Sequence, residues 1–263
     1  MNRFIVRIHL VRHGETIANR EGFVLGQRES NLTEEGIAQA LSLGELLGER
    51  RSQFWRVFSS DYERTQRTAR LVLRGGAGNC DDGNSGVMSA MDATIVPDKR
   101  LRERAKGVRE GRPKTIPYED ALRLHLEEHG QNAEFPLLES EADVWNRVQN
   151  WIDEVVTDAS ENKRLSNSRK TRRDMYDVLA VSHSATIRTA VNRLVGGQLP
   201  SSIVRGSGGK EGAADGMLVV ANTSMTIIDI NVDITSHSGN QPAWTAELVE
   251  LTNTDHLQNA KKI

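Results

Sequence analysis

Three stretches of this 263-residue chain close a run of apolar residues on groups able to handle an anion. Arg12-His13 follows residues 4–11, Ser60 through Arg64 follows residues 56–59, and His183 follows residues 177–182. A phosphate monoester carries close to two negative charges, which repel a nucleophile unless cations and donors hold its oxygens. The planar guanidinium forks of Arg12 and Arg64 suit that task. His13 offers a neutral imidazole nitrogen near an ordinary pKa of ~6.5 and can form a phosphohistidine, which divides one hard displacement into two easier ones. His183 supplies a second donor for oxygens that flatten in the transition state. Glu103, in Leu101-Arg102-Glu103-Arg104, is the candidate acid for the leaving oxygen and, once a carboxylate, the base that activates water. The chemistry these residues suggest is phosphoryl transfer, with no cofactor and no metal required.

Each residue alone has a plainer reading. His13 could be a satisfied histidine at a strand end, Arg64 a solvated helix arginine, Glu103 one carboxylate in a charged stretch, and His183 a core histidine. Their conjunction, in order and at strand ends, carries the chemical reading, because ligands of an open parallel sheet collect beyond the carboxyl ends of its strands.

The elements that must position them follow from periodicity. Ile5, Val6, Ile8, Leu10 and Val11 predict a buried strand over 4–11. Thr33 as N-cap, with Ile37, Ala40, Leu41, Gly44 and Leu47 at helical spacing, predicts a helix reaching Arg50. Residues 56–59 read as a short strand, and Asp61 as the cap of a helix over 62–73. Residues 101–112 are charged and irregular, and Pro117 opens a helix through Leu122 and Leu126. Ser140 with Asp143 forms a capping box ahead of Val144, Val148, Ile152, Val155 and Val156. Residues 177–182 read as a strand, 185–195 as a helix closed by Gly196-Gly197, and 217–221, 225–232 and 244–251 as strands. The alternation predicts an α/β fold, a three-layer αβα sandwich around a mostly parallel sheet. One domain over 1–263 is expected, with loop insertions near 74–93, 160–175 and 205–216; the basic run from Lys163 to Arg173 reads as a solvated loop.

Composition narrows the partners. A formal net charge of -2 and a pI near 6.4 give no general polyanion-binding surface, so nucleic acid is not an expected partner. The single cysteine, Cys80, excludes a disulfide framework and fits a reducing compartment. Arg3, Arg7 and His9 interrupt the apolar start, which lacks a secretory pattern, and no stretch approaches the ~18 apolar residues that span a membrane. The expectation is a cytoplasmic protein that meets a small phosphorylated metabolite, with its oligomeric state open.

Four patterns are set aside. His125-Leu126-Glu127-Glu128-His129 matches the H-x-x-E-H arrangement of zinc peptidases, but a third ligand and a cleft are missing from its surroundings. Cys80 has Gly86 where a cysteine-dependent phosphatase needs arginine. Residues 206–210 resemble a phosphate loop, yet Val204 and Glu211 stand at two of its required positions. Asn31-Leu32-Thr33 and Asn222-Thr223-Ser224 fit a glycosylation sequon without a secretory route to it. A non-catalytic interaction protein on the same fold is the rival class of function, and retention of His13, Arg64, Glu103 and His183 weighs against it.

Arg12-His13-Gly14-Glu15-Thr16 with Asn19, Leu32-Thr33-Glu34-Glu35-Gly36, Ser59-Ser60-Asp61 with Arg64-Thr65, Leu101-Arg102-Glu103-Arg104 and Val181-Ser182-His183 together resemble the histidine phosphatase superfamily, in its phosphoglycerate mutase-like branch. The resemblance runs from about Ile8 to Val195, and Asn222-Thr223-Ser224 also fits it. It implies a phosphoglycerate mutase-like fold, His13 as the phosphorylated residue, Glu103 as proton donor, and Arg12, Asn19, Arg64 and His183 as the phosphate pocket. Gln27, Arg104 and Ser184 are its further candidate substrate contacts. Residues 101–111 look most like phosphatases of the fructose-2,6-bisphosphatase and TIGAR type. Ala105-Lys106 replaces the aromatic pair of the glycolytic mutases, and their downstream arginine pair is not found between Arg112 and Leu138. The resemblance thus implies a phosphatase of sugar bisphosphates or phosphoglycerates, with a phosphoglycerate mutase as the alternative. Ser184-Ala185 departs from the glycine-led pair that commonly follows the second histidine.

Overall fold

The computed structural model describes residues 3–75, 95–166, 174–194, 218–238 and 241–260. Cys80, the Gly196-Gly197 stop, the insertion at 205–216, most of the loop at 74–93 and the basic residues beyond Ser166 lie outside the described residues.

Chain order runs β1 (Arg3–Arg12), α1 (Ile17–Arg20), α2 (Glu34–Leu47), β2 (Arg56–Ser59), α3 (Glu63–Arg74), β3 (Ile95–Pro97) and α4 (Tyr118–His129). It continues through α5 (Glu141–Ser166), β4 (Met175–Ser182), α6 (Ser184–Leu194), β5 (Met225–Ser238), β6 (Gln241–Asn253) and α7 (Leu257–Ala260). The six strands lie in the order β3-β2-β4-β1-β5-β6. The β3, β2, β4 and β1 neighbours pair in parallel, whereas β5 runs antiparallel to both β1 and β6.

Successive side chains on a strand face opposite ways, and this alternation builds two cores. Phe4, Val6, Ile8 and Leu10 of β1, with Tyr176, Val178 and Ala180 of β4, meet Val144, Val148, Trp151, Ile152 and Val155 of α5 and Ile187 and Val191 of α6. Val11, Val57, Leu179 and Val181 face the other way onto Ala40, Leu43 and Leu47 of α2 and Ala69, Val72 and Leu73 of α3. Each fully buried Leu or Ile contributes about 2 kcal/mol. The result is the expected three-layer αβα arrangement.

Local signals set several boundaries as expected. Thr33 caps α2 by accepting from the Gly36 amide, and Ser140 exchanges hydrogen bonds with Asp143 at the start of α5. Pro117 is the N-cap residue of α4.

Other expectations need correction. α2 stops at Leu47, and residues up to Arg50 form part of a 3-10 turn, Gly48–Ser52, after Gly48 adopts a φ of 52°. Asp61 does not cap α3: Tyr62 holds that position without a side-chain bond, because the Asp61 carboxylate is taken by Arg102. The solvated loop expected from residue 160 is helix through Ser166, where Lys163 is fully buried and pairs with Asp174 at 2.5 Å. Residues 218–221 form no strand, although Leu218 and Val220 are buried and Val219 exposed, since both sides of β5 are already occupied by β1 and β6. Among the described residues, no helix is long and apolar enough to cross a membrane.

Candidate active site

The parallel register between β1 and β4 pairs Arg12 with Ser182, so the next residue on each strand, His13 and His183, emerges side by side at the carboxyl end of the sheet. Their ring centroids are 5.2 Å apart at an interplanar angle of 62°. The His13 amide donates to the Ser182 carbonyl at 3.0 Å, which extends the ladder one residue past the strands. Gly14 then turns the chain against α2: a Cβ there would come within 2.4 Å of the Gly36 carbonyl oxygen.

Hydrogen bonds assign the protons of both rings. His13 Nδ1 lies 2.7 Å from the Gly14 carbonyl oxygen, which only accepts, so Nδ1 carries the proton and Nε2 the lone pair. Burial, with the charges of Arg12 and Arg64, holds His13 well below the usual histidine range, keeping the ring neutral. His183 is the complement. Arg64 Nη2 lies 3.4 Å from its Nδ1 and only donates, which places the His183 proton on Nε2, a buried group without a partner among the described residues. Burial and the Arg64 charge keep this ring neutral as well. One imidazole therefore presents a lone pair and its neighbour an N–H.

Arg64 is 1% exposed and is held by the carbonyls of Arg28 and Gly26 and by Glu29, with its guanidinium 4.5 Å from the Tyr62 ring. These contacts offset the cost of burying a charge, and Nε has no partner among the described residues. Arg12 donates from Nη1 to the Val220 carbonyl at 2.7 Å, and its Nε is likewise buried without a partner among the described residues. Burial, opposed by the Glu103 charge and reinforced by those of Arg188 and Arg64, pushes Arg12 down to about 10. It remains a cation at neutral pH.

Glu103 sits at the start of α6. One carboxylate oxygen accepts from Ser184 Oγ at 3.3 Å and the Ala185 amide at 3.4 Å, and the other accepts from the Arg104 amide at 2.8 Å. The Asp61–Arg102 pair, with bonds of 2.7 and 2.6 Å, anchors this loop to the α3 start that carries Arg64. Thr186 Oγ also donates to the Arg102 carbonyl at 2.6 Å.

The remaining candidates divide. Asn19 Oδ1 accepts from the Thr16 amide and from Asn222 Nδ2, and its own Nδ2 has no hydrogen-bond partner among the described residues. Ser184 reaches the site through Glu103. Gln27 and Arg104 make bonds within this loop: Gln27 Nε2 donates to the Glu103 carbonyl and to Glu139, and Arg104 Nε donates to the Glu139 carbonyl. Glu139 also accepts from the Ala105 amide and Arg147. Nothing local in the sequence marks it as the hub of this loop.

Residues 8–205 match the pattern of the histidine phosphatase superfamily (branch 1). The chain belongs to the histidine phosphatase superfamily. A curated relative, the "Probable phosphoglycerate mutase GpmB" of Yersinia pestis (strain Pestoides F), is 32% identical over 154 residues, a match covering 58% of this chain and 64% of the relative's length. The phosphoglycerate mutase structure from Bacillus anthracis str. Sterne shares the fold at a TM-score of 0.59 and 20% identity, over 99% of this chain and 98% of that one. The mycobacterial glucosyl-3-phosphoglycerate phosphatase solved with VO3 matches at a TM-score of 0.56 and 25% identity, over 94% and 98% of the two chains. This histidine phosphatase superfamily member thus has phosphoglycerate mutase-like homologues.

The zinc-peptidase pattern is structurally occupied. His125 Nε2 bonds the Glu134 carbonyl, His129 Nδ1 bonds the His125 carbonyl, and the two rings stack at 4.5 Å. Among the described residues, no group of three or more His, Cys, Asp or Glu side chains is arranged to hold a metal.

Proposed function

We propose that the protein hydrolyses a small phosphorylated metabolite through a phosphohistidine at His13. The observation that carries this reading is the His13 Nδ1 to Gly14 bond, which leaves Nε2 of a buried neutral ring without a hydrogen bond among the described residues. In the first step Nε2 attacks phosphorus, the bond to the ester oxygen breaks, and Glu103 gives that oxygen its proton. In the second step water attacks phosphorus, its proton passes to the Glu103 carboxylate, and the bond to Nε2 breaks. Arg12, Arg64, Asn19 and the His183 Nε2–H would hold the three equatorial oxygens throughout. Ser184 and the Ala185 amide would orient the Glu103 carboxyl; Gln27 and Arg104 would hold its loop.

A second anionic group on the substrate fits the surroundings. Lys106, Lys114 and Arg188 make no side-chain ion pair among the described residues. Burial lowers Lys106, opposed by the Glu103 charge and reinforced by Arg104, Arg188 and Arg109; burial and Arg12 lower Lys114. A sugar bisphosphate or a phosphoglycerate would relieve that concentration of positive charge. Hydrolysis is favoured over mutation because a mutase must keep water from its phosphohistidine, and the Lys106 ammonium beside Glu103 provides no apolar seal. Phosphoglycerate mutase is the second reading, supported by the name of the Yersinia relative.

Phosphate release across fructose 2,6-bisphosphate, 2,3-bisphosphoglycerate and 3-phosphoglycerate, with 2-phosphoglycerate formation followed in parallel, tests both. Free phosphate as the main product supports the phosphatase. Isomerisation of 3-phosphoglycerate without phosphate release supports the mutase, and neither product in any arm contradicts both readings.

A further inference from the structure

His256 stands far from the site in sequence, yet it is 1% exposed and its Nε2 lies 2.8 Å from Thr223 Oγ. The Thr223 hydroxyl gives its one proton to the Asn222 carbonyl at 2.8 Å, so it accepts from His256, whose proton is therefore on Nε2. In that tautomer Nδ1 carries the lone pair, buried and without a hydrogen-bond partner among the described residues. The His256 carbonyl accepts from Ser42 Oγ at 2.8 Å, which ties this residue to α2. Burial pushes the ring down to about 4, so it stays neutral at the pH of ordinary turnover.

Thr223 has a φ of 54°, left-handed territory that a β-branched residue enters only when its surroundings hold it there. The turn so held is fastened to the nucleophile's backbone. The Thr223 amide donates to the Arg12 carbonyl at 3.0 Å, Asn222 Nδ2 donates to the His13 carbonyl at 2.9 Å, and the Arg12 amide donates to the Ser224 carbonyl at 3.2 Å.

We propose that His256 is a positioning residue for His13: by holding the Thr223 hydroxyl it keeps the Asn222–Ser224 turn clamped on the backbone of Arg12 and His13. The inference rests on the phosphohistidine reading above for its kinetic consequence, though not for its structural one.

The test compares the full chain with His256→Leu, His256→Gln, Thr223→Gly and the Leu/Gly double variant. Steady-state kinetics on an aryl phosphate are paired with 15N NMR of the His13 ring. His256→Leu is expected to lower kcat by about 10-fold or more with KM within about twofold, because small displacements of a reacting group cost rate before they cost binding. His256→Gln, whose amide nitrogen reaches the position of Nε2, restores most of the loss. Glycine adopts the left-handed φ without a prop, so in the Thr223→Gly background His256→Leu adds less than about a twofold further loss. The His13 Nδ1–H resonance moves in His256→Leu and returns in His256→Gln. Unchanged kcat in His256→Leu, equal losses in the Leu and Gln variants, or additive losses in the double variant would each overturn the proposal. If His256→Leu does not fold, His256→Asn, with an amide too short to reach Thr223, takes its place under the same expectations. A wild-type chain without turnover whose His13 resonance still follows these variants contradicts the phosphohistidine reading and leaves the positioning role standing.

Discussion

Arg64 Nη2 and His183 Nδ1 are 3.4 Å apart, so one buried cation also decides which nitrogen of the neighbouring ring bears the proton. Replacing Arg64 by lysine keeps the charge but loses the fork that meets the Arg28 and Gly26 carbonyls and the His183 ring together. Arg64→Lys is expected to lower kcat by about 100-fold while the protein still folds, measured by steady-state kinetics beside circular dichroism. Activity within a few-fold of the parent would show that charge alone suffices.

The pH dependence follows from the depressed histidines. His13 is held well below the usual range by burial and by Arg12 and Arg64, so protonating its ring requires acid well beyond pH 6.5. Under the proposed phosphohistidine mechanism the acid limb in kcat/KM, after allowance for the substrate's own ionisation, should fall below that value. Stability has the same sign: His256 sits at about 4, and His13 and His183 are lowered too, while the unfolded chain takes up protons from about pH 6.5 downward. The folded state therefore has its full stability above pH 6.5 and loses it as pH falls toward 4. Chemical denaturation at pH 7 and pH 5 measures the difference, and greater stability at pH 5 would contradict these shifts.

For Glu103→Gln the expected loss depends on the leaving group. In the Gln variant the one side-chain oxygen can still accept from Ser184 Oγ and the Ala185 amide, but the NH2 that replaces the other oxygen has no proton to transfer to the leaving group and no longer accepts from the Arg104 amide. With an alkyl phosphate kcat should fall by about 100-fold or more, and with an acidic aryl leaving group by much less. A loss independent of the leaving group would remove Glu103 from that role.

Lys106→Ala and Arg188→Ala test the second anion. Each should raise KM for a bis-anionic substrate by about 10-fold, one charge-assisted contact, and change KM for an aryl monophosphate little. Equal effects on both substrates would place the two cations outside substrate recognition.

Much of this arrangement was legible because its signals are local. The alternation in β1, the Thr33 cap and the Ser140–Asp143 box are written within a few residues, and the strand ends at Arg12 and Ser182 predicted where His13 and His183 meet. Expectations failed where a distant partner claimed a side chain. Asp61 has the composition of a cap, but Arg102, 41 residues on, takes its carboxylate. Lys163 reads as solvated by its neighbours, yet α5 continues past Ala159 and carries its side chain into the interior. Gln27 and Arg104 also give donors to Glu139 and its carbonyl, contacts between distant residues that no local signal announces. Thr223 and His256 act through a left-handed turn and a single hydroxyl contact, for which no periodicity or spacing exists.

The most direct measurement is the covalent intermediate itself. The protein is mixed with an aryl phosphate, quenched in alkali within the first turnover, digested and mapped by mass spectrometry. The account predicts one phosphoryl group on the peptide containing His13, alkali-stable and acid-labile, and absent from His13→Ala together with turnover. Phosphate release that persists in His13→Ala, or a phosphoryl group on any other residue, would contradict it.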